Sequence, residues 1–395
     1  MKNNRTFLEK LLDGAEVKWI PLGDVADYEQ PTKYLVNSTV YNDNYPIPVL
    51  TAGKTFILGY TNEDEGIYFA SKSPVIIFDD FTTANKWVDF DFKAKSSAMK
   101  MITSKNEKFA LLKYIYYWLN TLPNNQIDGD HKRQWISNYA NKLIPIPPLS
   151  VQTEIVRILD ALTALTSELT SELTSELTLR RKQYEYYLDN LLSKEELGKI
   201  GFEWKCLKDI CDYVDFRGKT PKKTESGIFL VTAKNIKKGF IDYNASKEFV
   251  SESDYIEIMR RGLPRIGDVL ITTEAPCGNV AQIDKEDIAL AQRVIKYRSS
   301  NENILDNTFL KFMLLSKEFQ VNLIKLSTGG TVKGIKGSTL HKMKIKIPPI
   351  DEQKRIVSIL EKFEILTNSI TEGLPLAIEQ SQKRYEYYRE LLLSF

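Results

Sequence analysis

Two segments of the chain carry apolar residues at alternating steps of three and four, the spacing that places side chains on one face of an α-helix. Each segment follows a Pro-Pro pair that ends a strand-like run, and Ser150 or Asp351 then supplies a side chain suited to cap a helix. The pattern predicts two long helices, over residues 150–196 and 350–395, each with a narrow apolar seam for helix pairing. The seam residues are Ile155, Ile158, Leu159, Leu162, Leu165, Leu169, Leu173 and Leu177 in the first helix and Ile356, Ile359, Phe363, Leu366, Ile370, Leu374 and Ile378 in the second.

Helices of this length need a partner along their sides. A continuous helix from Ser150 to Ser193 would be about 66 Å long at about 1.5 Å per residue, so we expect it to pack antiparallel against its own repeat. The second segment contains Gly373 and Pro375, and proline removes a backbone hydrogen bond and clashes with the preceding turn. We therefore expect a kink there, or two helices that meet.

The chain repeats itself at an offset of 201 residues. IPIPPLSVQTEIVRILDAL (144–162) aligns with IKIPPIDEQKRIVSILEKF (345–363), and RKQYEYYLDNLLS (181–193) aligns with QKRYEYYRELLLS (382–394). Because the offset is the same at both ends, the two predicted helices have equal length.

The segments before the helices repeat more loosely, as EVKWIPLGDVADY (16–28) and EWKCLKDICDY (203–213) show. FLEKLL (7–12) resembles the ends of both helices, YLDNLL (187–192) and YRELLL (388–393), which suggests a cyclic plan in which the N-terminus meets the C-terminal helix. The expected organisation is a first variable domain over 1–149 with a helical stub at 5–13, a first helix over 150–196, a second variable domain over 197–349 and a second helix over 350–395.

Composition narrows the class of protein. The sequence has no run of 18 apolar residues and no signal-peptide pattern at its start, so we expect a cytoplasmic location and no membrane contact. Three cysteines and two histidines give neither a disulfide framework nor a convincing zinc site. The net charge is only +2, but residues 197–349 carry 26 basic against 18 acidic side chains, which favours local attraction of a polyanion.

Catalytic motifs are absent from the sequence, with one loose exception. There is no phosphate-binding G-x-x-x-x-G-K-[ST] loop, no G-x-S-x-G elbow and no methyltransferase base-gripping motif. Asp79 or Asp80, followed by Asp91 and Lys93, loosely resembles the carboxylates and lysine of a restriction-type nuclease, although the alternation in WVDFDFKAK is equally typical of a half-exposed strand. A stand-alone nuclease or methyltransferase is therefore the alternative function, beside a coiled-coil scaffold that does not bind DNA.

Features that suit nucleic-acid binding are more frequent. Basic runs that mix Lys and Arg with Gly, Thr and Ser are typical of loops that approach phosphates, and Arg217, Asn235 and Lys336 could also contact base edges. Any one such run is more often a solvated surface, but four in the second domain favour DNA contacts. The candidate DNA-binding residues are Lys54, Lys86, His131, Lys132, Arg133, Arg217, Lys219, Lys222, Lys223, Lys234, Asn235, Lys237, Lys238, Lys333 and Lys336.

The helices close with repeated aromatic motifs, QYEYY (183–187) and RYEYY (384–388). Tyr184 and Tyr187 share one helix face, as do Tyr385 and Tyr388. Packing between the two helices and docking of a symmetric pair of partner subunits are equally good explanations.

Two variable domains, each followed by a long helix that opens with I-P-P and closes with these motifs, together resemble the DNA specificity subunit of type I restriction-modification systems. The resemblance implies an α+β fold, with two α/β target recognition domains separated by two long antiparallel helices that form a coiled coil with a pseudo-twofold repeat. It implies that the subunit is not itself an enzyme and needs no cofactor. It also implies binding to double-stranded DNA, to two modification (methyltransferase) subunits and to ATP-dependent restriction subunits.

The same resemblance gives meaning to LTSELTSELTSELT (165–178) in the first helix. Each four-residue unit adds about 6 Å of rise and about 40° of rotation beyond a full turn, close to the roughly 35° turn of one base pair of B-DNA. We expect the repeat to be an adjustable spacer between two half-site readers. RGKTP (217–221) looks like the loop that commonly opens a recognition domain, whereas the first domain departs from it with EQPTKY (29–34).

Overall fold

A computed structural model describes residues 6–53, 55–123, 133–216, 222–368 and 373–395. Within them the α-helices are α1 (Phe7–Leu12), α2 (Leu22–Val25), α3 (Leu112–Leu119), α4 (Gln134–Ser137), α5 (Leu149–Leu191), α6 (Lys194–Ile200), α7 (Leu207–Ile210), α8 (Glu252–Met259), α9 (Asn307–Leu315), α10 (Lys317–Leu326), α11 (Gly337–Leu340), α12 (Ile350–Asn368) and α13 (Leu374–Leu393). Short 3-10 helices occur at Pro31–Tyr34 and Tyr139–Asn141.

The strands of the described residues are β1 (Lys18–Pro21), β2 (Ala26–Glu29), β3 (Ile47–Leu50), β4 (Ile57–Thr61), β5 (Val75–Asp79), β6 (Asn85–Val88), β7 (Lys93–Ala94), β8 (Met99–Ser104), β9 (Leu143–Ile146), β10 (Glu203–Cys206), β11 (Cys211–Asp215), β12 (Lys223–Thr224), β13 (Ile228–Val231), β14 (Phe249–Val250), β15 (Val269–Thr273), β16 (Cys277–Gln282), β17 (Ile288–Leu290), β18 (Val294–Ser299) and β19 (Lys344–Ile347). The chain divides into two compact units, Met1–Ser171 with Glu379–Phe395, and Glu172–Ile378.

The first unit is built on an antiparallel sheet of strand order β2-β8-β5-β6. Successive side chains of a strand point to opposite faces, so Ile76 and Phe78 of β5 enter a core with α3 and α5, while Val75 and Ile77 enter a second core. A smaller sheet, β4-β3-β7, has one antiparallel and one parallel pairing. The separate β1–β9 ribbon leads directly into α5.

The second unit repeats this plan. Its main antiparallel sheet has the order β11-β18-β15-β16, and its second sheet, β12-β14-β13-β17, again contains one parallel pairing. Val269 and Ile271 of β15 face the core that holds α9, whereas Leu270 faces the other core. The β10–β19 ribbon leads into α12, as β1–β9 leads into α5.

The long helices differ in continuity. Helix α5 runs unbroken for 43 residues, whereas its repeat consists of α12 and α13 as separate helices. Gly373 has φ +85°, and a Cβ at this position would lie 2.7 Å from the carbonyl oxygens of both Ile365 and Leu366. The predicted break is thus confirmed, and it occurs at a position that only glycine tolerates. In the described part of the chain, no helix is both long enough and apolar enough to cross a membrane.

Within each unit, α5 pairs with its repeat in antiparallel order. In the first unit, the Thr163 hydroxyl donates to the Tyr385 hydroxyl at 3.1 Å, and Leu392 shares a core with Ile155. In the second unit, the Tyr184 hydroxyl donates to Glu364 at 3.4 Å, and Tyr187 stacks on Phe363 with ring centroids 5.2 Å apart. The antiparallel pairing predicted from the apolar seams is therefore confirmed.

The N-terminal helix corrects one sequence alignment. Thr6 and Glu9 form a reciprocal capping box on α1. On α6, the Ser193 hydroxyl accepts from the Glu196 N–H without a return bond from the Glu196 side chain. Both short helices directly precede the first strand of their unit, so α1 takes the place of α6 and not that of the end of a long helix. Leu8 nevertheless packs on the core that contains Leu392, so the N-terminus does meet the C-terminal helix.

Candidate nucleic-acid interface

A cleft of about 460 Å³ opens in the second unit where β15 ends. Three chain segments that are distant in sequence line it: the end of β15, the turn before β18, and the loop before α11. The lining residues are Thr273, Glu274, Gln292, Arg293, Thr328, Gly329, Val332, Gly334, Ile335 and Lys336.

Backbone hydrogen bonds fix the loop on one side of this cleft. Thr328 and Gly334 exchange N–H···O bonds of 2.8 and 2.9 Å, and the Ile335 N–H donates to the Thr273 carbonyl at 2.9 Å. Gly329 has φ +111°, and a Cβ there would lie 2.2 Å from the Val332 carbonyl oxygen, so the tight turn requires glycine. The TVKGIKGST run predicted to approach phosphates is therefore an anchored hairpin.

Cations line the cleft or stand beside it. Lys333 and Lys336 are exposed, and Lys336 immediately precedes α11. Arg293 has φ +70°, its carbonyl accepts from the Thr273 N–H at 2.8 Å, and its guanidinium lies 3.4 Å from the Glu274 carboxylate. The last contact is half exposed, where an ion pair contributes little stability, so a phosphate can compete for the guanidinium.

A buried charge cluster lies at the start of β15, at the opposite end of that strand from the cleft. Asp268, which is 1% exposed, binds Lys296 at 3.2 Å and Arg298 at 2.5 Å, and it also accepts from the Arg265 backbone N–H. Burial lowers the pKa of Lys296. One carboxylate therefore binds two cationic side chains of β18.

The first unit has a loop in the corresponding place. The Gln134 N–H donates to the Asp80 carbonyl, and the Trp135 N–H donates to the Asp80 carboxylate, both at 2.8 Å, so the start of α4 is fixed just beyond β5. Trp135 is buried and packs edge-on against Phe78, while the neighbouring Arg133 is exposed. Residues 133–135 of the first unit thus correspond to residues 334–336 of the second, because each segment is hydrogen-bonded to the chain at the end of the matching strand. The preceding residues of the GDHKRQW run, 129–132, lie outside the described residues.

Among the described residues, the other candidate DNA-binding lysines do not line the cleft. Lys86 lies on β6 over the Phe56 ring, and Lys223 forms an ion pair with Glu248 at 2.9 Å. Lys222 and Lys234 are exposed, and Lys237 is half-buried. Lys238 lines a different cavity, of about 510 Å³, together with residues of α5 and α10. Lys54, His131, Lys132, Arg217 and Lys219 lie outside the described residues.

Asn235 is a correction to the sequence analysis. Its side chain has no solvent exposure, its Oδ1 accepts from the Thr232 N–H and hydroxyl, and its Nδ2 donates to the carbonyls of Asp242 and Ser246. The amide therefore holds a loop together and cannot contact a base edge. An asparagine among lysines carries no sequence signal that separates these roles.

The acidic constellation does not form a catalytic centre. Asp79 accepts from backbone N–H groups of its own turn, Asp91 accepts from the N–H and hydroxyl of Ser71, and Lys93 is buried against Glu63 at 2.8 Å. Within the described ranges, no three His, Cys, Asp or Glu side chains are placed to hold a metal ion. Each member of the proposed nuclease site thus has a separate structural task.

The helix-end tyrosines divide into two groups. Tyr184 and Tyr385 are half-buried, and their hydroxyls take part in the hydrogen bonds that pair the helices. Tyr187 and Tyr388 are about 40% exposed, at 39% and 41%, and each packs edge-on against its exposed neighbour, Tyr186 or Tyr387. Helix pairing therefore explains the first group. In the second group, Tyr187 also stacks on Phe363 of the paired helix, and both Tyr187 and Tyr388 leave part of the ring exposed to solvent.

Sequence reasoning missed Thr273, Glu274, Gln292 and Arg293 as members of the cleft. They lie in two ordinary strand ends, and only the folded sheet brings them to the loop before α11. The repeat offset of 201 residues could have shown that Trp135 and Lys336 are equivalent, and so that the two basic loops correspond.

Comparison with known proteins agrees with this architecture. The family described as the type I restriction modification DNA specificity domain matches residues 15–179 and 199–380. The EcoR124I/EcoR124II specificity subunit of an Escherichia coli type I restriction enzyme is 51% identical over 405 residues, covering 99% of this chain and 97% of that protein.

Solved structures share the fold. One, from work on complex assembly and conformational transition of the type I R-M system, has a TM-score of 0.60 and 19% identity, covering 95% of this chain and 97% of that chain. The crystal structure of a type I restriction-modification system S subunit from M. genitalium has a TM-score of 0.50 and 15% identity, covering 96% of each chain.

Proposed function

The chain belongs to the type I restriction-modification DNA specificity family, and from this premise we propose that each of its two domains reads one half of an asymmetric, bipartite DNA sequence. The chain is the non-catalytic recognition subunit of such a system, and methylation and cleavage belong to partner subunits. A cytoplasmic location, where DNA and these partners meet, is part of the proposal.

One observation supports the assignment of the DNA-reading surface: the loop residues 133–135 and 334–336 occupy equivalent positions in the two units, and each segment includes a cation, Arg133 or Lys336. Each loop is hydrogen-bonded to the end of the matching strand, β5 or β15, and each leads into a short helix. Two equivalent loops with unlike sequences are what a reader of two unlike half-sites requires. An asymmetric target follows.

In the second domain, the contacts divide by chemistry. Lys333 and Lys336 are flexible point charges suited to phosphates, which position a protein on DNA without reading sequence. Arg293 and Gln292 carry planar groups that can bond two atoms of one base edge, arginine to guanine and glutamine to adenine. In the first domain, Arg133, together with His131 and Lys132, would take the phosphate-contacting role. Further phosphate contacts would come from Lys54 and Lys86 in the first domain and from Arg217, Lys219, Lys222, Lys223, Lys234 and Lys237 in the second.

The exposed tyrosines suit the partner subunits. Tyr187 and Tyr388, with their edge-on neighbours Tyr186 and Tyr387, form two equivalent aromatic surfaces, one in each copy of the repeat. Aromatic side chains with a polar tip are enriched at protein interfaces. We assign one such surface to each of two modification subunits, and Tyr184 and Tyr385 to the helix pairing that supports them.

The test is the pattern of DNA methylation in cells that carry the partner subunits. The expected result is a bipartite motif with adenine methylated in both halves, which disappears when this gene is deleted. An unchanged methylation pattern in a strain with active partner subunits would overturn the proposal.

One variant inside the cleft and one control variant outside it test whether the cleft contacts DNA bases. Arg293→Ala is expected to relax the preference at one base pair of one half-site only, by a factor of roughly ten to a hundred. Lys344→Ala, an exposed residue of β19 outside the cleft, is the control and should leave both half-sites unchanged. Selection from a random DNA library measures both variants.

A further inference from the structure

The first turn of each long helix contains a glutamine with no solvent exposure. These are Gln152 in α5 and Gln353 in α12, and they are equivalent in the repeat of 201 residues. The residues beside them differ between the copies, Val151 and Thr153 in one and Glu352 and Lys354 in the other. A buried glutamine that occurs at equivalent positions while its neighbours differ indicates that the two glutamines have the same structural role.

Gln152 ties three pieces of backbone together in the first unit. Its Oε1 accepts from the Leu111 N–H at 2.9 Å, and its Nε2 donates to the carbonyls of Phe109 and Pro147, both at 2.9 Å. Pro147 lies two residues before the start of α5, and Phe109 and Leu111 precede α3. The amide therefore joins the root of the long helix to the root of a helix in the recognition domain.

Gln353 makes the same three bonds in the second unit. Its Oε1 accepts from the Asp306 N–H at 2.9 Å, and its Nε2 donates to the carbonyls of Ile304 and Pro348, both at 2.8 Å. Asp306 caps α9, as Leu111 occupies the cap position of α3. The side-chain amide is fully satisfied in both copies, so the joint has one well-defined geometry.

The helices held by these joints lead to the DNA-reading surface. Helix α9 packs on β15 and β16, and α3 packs on β5 and β6. Strands β15 and β5 end at the basic loops. A rigid path therefore runs, in each unit separately, from the root of the long helix through the glutamine to the sheet that carries the loop.

We propose that Gln152 and Gln353 are positioning residues that fix the rotation of each recognition domain about its long helix. The inference rests on the proposed function. One residue of α-helix corresponds to about 100° of rotation, so helix length can set the separation of two half-sites only if the domains do not turn on their helices. Three buried bonds to backbone atoms supply that stiffness.

The experiment uses the full chain assembled with modification subunits and the target found by selection. Gln353→Met keeps the shape of the side chain and removes all three hydrogen bonds, and Gln152→Met does the same in the other unit. Binding is measured to DNA in which both half-sites are kept and their separation is varied from two base pairs shorter to two longer. Circular dichroism confirms that each variant is folded.

A third glutamine provides the matched control. Gln320 of α10 lies inside the second recognition domain, and its Nε2 donates to the carbonyls of Gly278 and Leu314 at 2.9 and 2.6 Å. Gln320→Met removes bonds of the same kind but not at the root of a long helix. A general loss of stability would affect all three variants alike.

The expected result is that the variants at the helix roots lose preference for the half-site separation but keep their preference for the half-site sequences. The preference of Gln353→Met for the wild-type separation over its neighbours falls at least about tenfold, while the half-site sequences stay the same. Gln320→Met retains the wild-type preference for separation. Because the two joints are independent, Gln152→Met decides the matter if Gln353→Met does not fold.

Two results would overturn the inference while leaving the proposed function intact: folded variants that keep the full wild-type preference for separation, or variants in which half-site preference falls as much as separation preference. A wild-type chain that shows no sequence preference would instead overturn the proposed function, and this inference with it.

Discussion

The two units build the same helix pairing from different chemistry. In the first unit, Tyr385 meets Thr163, an uncharged partner. In the second, the equivalent Tyr184 meets Glu364, which also binds the buried Lys311 at 2.6 Å. The tyrosine occupies the same position in both copies, but its hydrogen-bond partner is a hydroxyl in the first unit and an ion-paired carboxylate in the second. The repeat therefore preserves the geometry of the contact and not one type of bond.

The long helices also combine a matched geometry with a difference between the two copies. The joints at Gln152 and Gln353 are equivalent to within 0.1 Å in each hydrogen bond, yet α5 is continuous and carries the TSEL units, whereas its repeat is interrupted at Gly373. The four-residue repeat is therefore confined to one of two elements whose roots are otherwise matched. Four experiments test this comparison, from the largest expected effect to the smallest.

Removal of residues 171–174, one TSEL-type unit, should move the target. Both half-sites are expected to stay the same while their separation shortens by about one base pair, because about 40° of helix rotation is lost. Binding to the original target should fall at least about 1,000-fold, to the non-specific level. Library selection is the measurement, and an altered half-site with the original separation would contradict the spacer hypothesis.

Lys311→Met should destabilise the second unit strongly, because it leaves the buried Glu364 carboxylate without its cation. The expected loss is about 3–5 kcal/mol in the free energy of unfolding, measured by denaturant titration. The first unit provides the control: Lys113 lies 3.5 Å from Asp160 in a partly exposed pair, so Lys113→Met should cost less than about 1 kcal/mol. Equal losses in the free energy of unfolding for the two variants would contradict this difference between the two units.

Arg133→Gln and Lys336→Gln compare the two basic loops. If each cation contacts one phosphate, each variant should lower the slope of log affinity against log salt by about 0.9. Lys344→Gln, outside the cleft, should leave the slope unchanged. A change for only one loop would show that the two domains hold DNA in different ways.

The pH dependence of stability should differ between wild type and Glu364→Gln. Burial raises the pKa of Glu364 above its ordinary value of 4.5, although Lys311 and Tyr184 oppose the shift. The folded state thus binds the proton more tightly, so the stabilisation is complete below pH 4.5 and is lost as the pH rises through the folded-state pKa. As the pH rises through the folded-state pKa, the free energy of unfolding of wild type should fall relative to that of Glu364→Gln. Curves of unfolding free energy against pH that run parallel for the two proteins would contradict this.

Periodic features were predictable from the sequence because they depend on local spacing. The seams of α5 and α12, the break at Gly373 and the duplicated plan all follow from apolar steps, proline chemistry and a constant offset. The role of Asn235 was not predictable, since its four bonds depend on how a loop folds back on itself. Cleft membership of Arg293 likewise depends on sheet topology.

The role of Gln152 and Gln353 was only partly predictable from the sequence. They are identical at equivalent positions while their neighbours differ, so the alignment of the repeat marks them, but only the folded joint reveals why. For Tyr184 and Tyr187, the helical pattern placed both on one face, and tertiary packing then decided which of the two is more exposed.

The glutamine joints bond only to backbone atoms of the domain that they hold. Every residue offers a backbone C=O, and every residue except proline offers an N–H, so the joint excludes only proline at positions 111 and 306 and otherwise places no demand on the side chains that it contacts. A joint made to backbone atoms is therefore compatible with many different side chains in the domain that it holds, so the sequence of that domain can change while the helix root stays the same.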